Sequence, residues 1–250
     1  MVNKLIARLI GLHVKLMACQ ARLEAETDPE ALHDLRTTVR RLRSLLRPLR
    51  GMPGVDRLEE AARQVGQVTT PLRDLEVLAT HLQAQGFAAA AATRRQQLRG
   101  SFPNVAKSSE VLSLLQLLDA FPSFLRAAQR QGILRGAKAR VAKRLAKQWR
   151  TLNAALRDPA HDRHRVRLLI KRTRYAAEAY PELEPLAPAL VKRLKSAQAA
   201  LGDWHDHWQW LAQAAQQSDL AACVPGWRSR LAMAEQRADR VLEKLRLAVN

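Results

Sequence analysis

One pattern occurs twice in this sequence, and it constrains the fold more than any other feature. His33, Arg36, Arg40, Arg41 and Arg43 reappear as His164, Arg167, Lys171, Arg172 and Arg174, each displaced by 131 positions. The spacing H-x-x-R-x-x-x-[RK]-R-x-R is the same in both copies. At about 100° per residue, a helix gathers His33, Arg36, Arg40, Arg43 and Arg47 within an arc of about 80°. Leu35, Val39, Leu42, Leu46 and Leu49 then fall on the opposite side, where a core would lie. The second copy divides in the same way, with His164, Arg167, Lys171 and Arg174 on one face and Val166, Leu169 and Ile170 on the other. A further match, Arg73-Asp74 with His205-Asp206, follows at a displacement of 132. Two matches in the same order, one residue out of register, read as an internal duplication with a small insertion. The boundary is expected near Gly132, giving halves 1–131 and 132–250 within one domain of residues 1–250.

The rest of the chain fits helices. Leu, Ala, Arg, Gln and Glu dominate, while Pro and Gly fall in clusters that cut the sequence into helix-length pieces. The pieces predicted are roughly 2–25, 30–50, 55–68, 71–100 with a break near Gly86, 108–131, 133–157, 160–180, 184–201, 203–218 and 227–248. Asp28-Pro29, Gly51-Met52-Pro53-Gly54, Ser101-Phe102-Pro103-Asn104 and Pro225-Gly226 supply the punctuation. The expected fold class is therefore all-α, two helical bundles from an internal duplication. The run Met1 to Ala18 is interrupted by Lys4, Arg8, His13 and Lys15 and has apolar residues at helical spacing, so it predicts a first helix rather than a leader. No stretch is read as long and apolar enough to span a bilayer. Cys19 and Cys223 lie far apart with no CxxC, which excludes a disulfide framework and predicts a reducing, cytoplasmic setting.

Charge narrows the partner. The formal net charge is +19, yet 47% of residues are hydrophobic, so the basicity belongs to a chain that can bury a core. From Gly132 to Tyr180 there are 14 Lys+Arg against 3 Asp+Glu. A solvated helix face usually mixes signs, because like charges three or four apart repel by a few tenths of a kcal/mol per pair. Incurring that repulsion twice points to an anion that relieves it. Arg outnumbers Lys on the ridges, and its planar fork suits phosphate oxygens. Arg41, Arg73, Lys138, Lys147, Arg172 and Lys195 are additional candidates for phosphate contact, and the orientation of the helix at 133–157 is left open. With aromatic residues at only 4%, a stacking platform for unpaired bases is unlike this chain.

At these residues the sequence resembles the CHAD family, the conserved-histidine α-helical domain. Ala31-Leu32-His33-Asp34-Leu35-Arg36 with Arg40-Arg41-Leu42-Arg43 resembles the first histidine motif of that family. Pro71-Leu72-Arg73-Asp74-Leu75-Glu76-Val77-Leu78 resembles its RD-x-x-V segment. His164-Arg165-Val166-Arg167, Lys171-Arg172-Thr173-Arg174-Tyr175 and Glu178 resemble the second motif, and Leu201-Gly202-Asp203-Trp204-His205-Asp206 the closing segment. Gln67-Val68-Thr69-Thr70-Pro71 departs from the usual Leu-Gly approach to Arg73. The resemblance implies two bundles related by pseudo-twofold symmetry around a basic central cavity or groove that binds inorganic polyphosphate. It also implies a place at polyphosphate granules and, with no Glu-x-Glu-x-Lys signature of the triphosphate-processing domain to which many members are fused, a stand-alone binding module.

No G-x-S-x-G, P-loop, H-E-x-x-H or paired-carboxylate pattern is present, so neither catalysis nor a cofactor is expected. His205 and His207 are two apart and do not share a helix face, which argues against a metal site. His33 and His164 either touch the ligand or orient neighbouring arginines. Polyphosphate binding competes with two other readings, a basic nucleic-acid or nucleoid binder and a histidine phosphotransfer bundle. Trp204, Trp208 and Trp210 form a cluster that serves packing or a partner surface.

Overall fold

Why these residues form helices is clearest where a break was expected and none occurs. The computed structural model describes every residue except Pro159, His161 and Asn250, and contains no strand among them. The chain forms two compact units, Met1–Val141 and Ala142–Asn250. In the first, α1 spans Val2–Glu24, α2 Ala31–Leu46, α3 Val55–Ala84, α4 Ala88–Leu98, α5 Ser101–Ala106 and α6 Ser109–Arg130. Then α7, Ala137–Arg157, crosses the boundary, and α8 (Arg163–Ala179), α9 (Pro188–Ala214) and α10 (Val224–Arg246) complete the second.

Two expected pairs of helices are single helices. The breaks expected near residue 70 and residue 202 are absent, because α3 continues through Pro71 and α9 through Gly202. A proline inside a helix removes one N–H and crowds the preceding turn. Packing of α3 against α2, α4 and α6 offsets that cost, and the preceding turn carries side-chain donors beside its backbone ones: Thr69 Oγ1 donates to the Val65 carbonyl at 2.7 Å and Thr70 Oγ1 to the Gly66 carbonyl at 2.7 Å. Arg36, from α2, adds a third, donating to the Gly66 carbonyl at 3.1 Å. A lone glycine in a helix costs only about 1 kcal/mol relative to alanine, which packing of α9 against α8 and α10 outweighs. Conversely, the Ser101 to Asn104 stretch, expected to be a break, forms the short α5, with Pro103 in its first turn where a missing N–H is tolerated. The helix expected from 133 begins at Ala137, after a turn in which Gly132 and Gly136 take φ of 72° and 73°. The helix expected from 160 begins at Arg163; its expected first turn includes His161, outside the described residues.

Each unit has its own core. In the first, α1 packs against α2, α5 and α6, and α3 against α2, α4 and α6. Leu9, Leu16, Leu23, Leu35, Leu42, Leu58, Leu82 and Leu118 are essentially inaccessible there. In the second, Leu152 and Leu156 of α7 meet Val166 and Ile170 of α8, Leu194 and Leu201 of α9, and Leu242 and Leu245 of α10. Cys19 and Cys223 are buried free thiols. One expectation about apolarity needs correcting: residues 88–130 include a window of mean hydropathy 1.3, apolar enough by composition to cross a membrane. That stretch is broken into α4, α5 and α6, and α6 turns Val111, Leu114, Leu118, Phe121 and Leu125 into its unit's interior.

Gly54, at the N-cap of α3, has φ of 75°, and a Cβ there would lie 3.0 Å from the Phe124 ring and 3.1 Å from that of Phe121. Gly86 has φ of 83° with nothing near the same position. Both glycines answer a left-handed backbone, but only one also makes room for rings. Gly54→Ala is therefore expected to cost roughly 2 to 3 kcal/mol and Gly86→Ala only about 1 kcal/mol, read from urea midpoints.

Candidate anion-binding faces

The first cationic face lies on α2, because burial of Leu32, Leu35, Val39, Leu42 and Leu46 turns the opposite side outward. His33, Arg36, Arg40, Arg43 and Arg47 are all half-buried, while Arg41 is exposed on a different side. The ridge is not uniform. Toward its N-terminal end, Arg36 Nη1 donates to Thr69 Oγ1 at 2.8 Å and Thr70 Oγ1 at 3.1 Å in addition to the Gly66 carbonyl. Burial pulls the Arg36 pKa below its usual value; Asp74 opposes that shift, while Arg40 and Arg73 add to it. Thus α3 brings Arg73 and Asp74 to the α2 ridge, and Arg73 is itself paired with Glu76. His33 Nε2 lies 3.5 Å from Thr37 Oγ1.

At the other end, Glu59 of α3 is buried at 5% exposure and gathers three arginines. Its Oε1 accepts from Arg43 Nε at 3.2 Å and Arg47 Nε at 3.4 Å, and its Oε2 accepts from Arg50 Nε at 2.9 Å. Burial alone would raise the Glu59 pKa, but the Arg50 hydrogen bonds and the charges of Arg50, Arg43 and Arg47 outweigh it and hold the carboxyl below its ordinary range. Part of the crowding that the sequence assigned to an external anion is therefore relieved by an internal one.

The second face lies on α8. Asp162 caps the helix by accepting from the His164 backbone N–H at 2.9 Å, and Val166, Ile170 and Thr173 are buried on the inner side. His164 is exposed, Arg167, Lys171 and Arg174 are half-buried, and Arg172 is exposed away from them. From α9, His205 reaches this ridge: its ring lies 5.0 Å from that of His164 and is stacked with Trp208 at 6.1 Å. His205 is only 8% exposed. Burial, followed by the charges of Arg167, His164 and Lys171, lowers its pKa to about 4. The Arg174 end is tied down as Arg43 is in the other unit, with Nε donating to Gln198 Oε1 at 2.8 Å and a second bond to Glu178. Its guanidinium carbon also sits 4.1 Å above the Tyr175 ring.

Lys138 belongs to the first unit and Lys195 to α9, both exposed. Lys147 lines a separate cavity of about 700 Å³ between α7 and α8, with Arg150, Arg165, Asp158 and Asp162. Of the tryptophans, Trp210 is buried at 5.7 Å from Trp227, Trp204 Nε1 donates to Glu235 at 3.4 Å, and Trp208 is 52% exposed. Among the described residues no group of three or more His, Cys, Asp and Glu comes together. Glu59, Thr69, Thr70 and Gln198 were invisible to the ridge periodicity because they lie on other helices. The one available signal was for His205, through its register with Arg73.

An all-helical chain with histidine-led cationic faces on α2 and α8 defines a class. The CHAD domain profile matches residues 8–215, and the chain belongs to that family. Its fold is similar to the crystal structure of the CHAD domain from the plant Ricinus communis, at 22% identity and a TM-score of 0.71, covering 100% of this chain and 91% of that one. It is also similar to PptA from Streptomyces chartreusis, at 20% identity and a TM-score of 0.56, covering 97% of this chain and 99% of that one. No curated protein matches its sequence.

Two consequences can be measured. Glu59→Gln leaves three guanidinium groups without their shared carboxylate, and is expected to lower stability by about 2 kcal/mol while increasing affinity for anions. His205 has a folded pKa of about 4 against an ordinary value of 6.5, so the unfolded chain binds the proton more readily between these values. Stability should fall as pH is lowered from about 6.5 to about 4, and His205→Gln should remove that component in urea titrations across this window.

Proposed function

We propose that this protein binds inorganic polyphosphate through the α2 and α8 faces and acts as a binding module rather than an enzyme. The observation that carries this reading is the repetition: two helices in two separate units present the same order of His, Arg and Arg/Lys at the same spacing. A single phosphoryl group needs few such contacts, whereas a linear anion with a phosphate at every unit can use a row of them. Half-burial of Arg36, Arg40, Arg167 and Lys171 favours this, since a guanidinium or ammonium group partly out of water interacts more strongly with an arriving anion than one fully solvated. Membership of the CHAD family supports the same ligand class. Within this reading the protein resides in the cytoplasm at polyphosphate granules, and requires no cofactor.

Binding is tested at residues outside the Glu59 cluster and the Arg174–Gln198 pair, with urea midpoints read alongside because Arg36 also bonds Gly66, Thr69 and Thr70. Arg43 holds Glu59 and Arg174 holds Gln198, so their removal mixes stability with affinity. Arg36 and Arg40 replaced together by Ala, or Arg167 and Lys171 together, are expected to weaken polyphosphate binding by on the order of a hundredfold in calorimetry, at about 1.5 kcal/mol per lost charge-assisted contact. Wild-type affinity should fall steeply with salt, by analogy with counterion release from DNA. Normal binding by both double variants would refute the reading. Displacement of long-chain polyphosphate by duplex DNA at equal phosphate concentration would favour a nucleic-acid binder instead, and release of orthophosphate during incubation would make the protein an enzyme.

A further inference from the structure

The first helix carries two apolar seams, and the fold uses one. Leu5, Leu9, Leu16, Cys19 and Leu23 are buried on the inner side of α1, with half-buried Leu12 in the same row. On the opposite side, Ala7, Ile10, Val14, Met17 and Ala21 follow one another at intervals of three and four, and all are exposed. Ile10 is 43%, Val14 60% and Met17 50% exposed. This 3-4 alternation is the seam of a coiled coil, narrower than the broad apolar face of a helix lying on a lipid surface. In a chain of net charge +19, the outward side of a helix is where cations are expected. Here Arg8 and Lys15 stand beside the seam rather than on it.

Gly11 adds an independent observation. It sits in mid-helix, its φ is not left-handed, and a Cβ built there meets nothing within 4 Å. Nothing in the chain's own fold requires a glycine at a site where alanine would be worth about 1 kcal/mol more. With exposed Ala18 seven residues on, it forms a small-residue edge along the seam, which lets a second helix approach closely.

We propose that α1 is a homodimer interface, paired antiparallel with α1 of a second copy of this chain. Charge decides both partner and direction. Lys4 and Arg8 stand at the N-terminal end of the helix, and Glu24, with Glu26 just beyond it, at the C-terminal end, where the charge of Arg22 is taken up by Asp28 and Asp34. Antiparallel pairing sets each basic end beside the acidic end of the other copy, whereas parallel pairing sets like against like. The same alignment places Ile10 opposite Ala21 and Val14 opposite Met17, large against small and medium against long, over a seam about 21 Å in length. Glu24 keeps its own-chain partner Lys107 at 3.3 Å, which fixes the acidic end in place. The dimer does not depend on polyphosphate binding.

Sedimentation equilibrium of the full chain without polyanion should give twice the monomer mass. Gly11→Leu should raise the dimer dissociation constant more than about tenfold through overpacking, with no loss in thermal midpoint because the site is open in the single chain. Val14→Glu should do the same through burial of a charge. Lys4→Glu should weaken the dimer about threefold. A monomeric wild type overturns the proposal, as does a Gly11→Leu variant that dimerises normally. A wild type that stays monomeric and sediments with vesicles of anionic phospholipid would assign the seam to a membrane surface instead. Failure of Lys4→Glu to weaken the dimer overturns the antiparallel arrangement. None of these readouts involves Arg36, Arg40, Arg167 or Lys171, so they fail independently of the polyphosphate reading.

Discussion

Repulsion among cations on one helix face is the constraint around which both units are built. Four or five like charges within a narrow arc destabilise α2 and α8 as isolated helices, so their helical state must come from burial of the opposite faces. Leu35, Val39 and Leu42 do this in one unit, and Val166 and Ile170 in the other. The long neighbours α3 and α9 do more than cover those apolar faces. They deliver the side chains that manage the charge: Glu59, Thr69 and Thr70 from α3, Gln198 and His205 from α9.

The management differs between the ends of each ridge. At the C-terminal end the cations already have acceptors, a buried carboxylate shared by Arg43, Arg47 and Arg50 in one unit, and Gln198 with Glu178 at Arg174 in the other. At the N-terminal end the company is of a different kind. Arg36 is oriented by hydroxyls and a carbonyl, neutral groups that hold a guanidinium without cancelling its charge, and Asp74 acts on it through its charge. Around Arg167 and Lys171 the neighbour is His205, kept neutral by burial and by those very cations. A neutral imidazole beside two cations leaves their field intact. The N-terminal stretch of each ridge thus keeps a positive potential that the C-terminal stretch has largely balanced.

The departure at Gln67 to Pro71 acquires a role in the same terms. Read alone, it weakened the match at Arg73. In the fold it is the segment that orients Arg36, because the proline turn is accompanied by two threonines whose hydroxyls face the guanidinium. Helix α3 passes through Pro71 because its packing against α2, α4 and α6 offsets the lost bond, and the Gly66 carbonyl in the preceding turn also accepts from a ridge residue.

By itself the sequence determined the helical class, the two ridges and the apolar rows behind them. These follow from periodicity, which acts within one helix and needs no partner to be seen. It also carried the breaks at Gly54, Gly86 and Gly132, where only a left-handed backbone turns the chain. Continuity through Pro71 and Gly202 was decided by tertiary structure, because a local breaker yields when packing offsets its cost. So were the burial of Glu59 among three arginines, the anchoring of Arg36 and the approach of His205 to His164. Each joins residues on different helices, at separations that no local spacing encodes. Charge along a helix is written in its own residues; the balance of that charge is set by whatever the fold brings beside it.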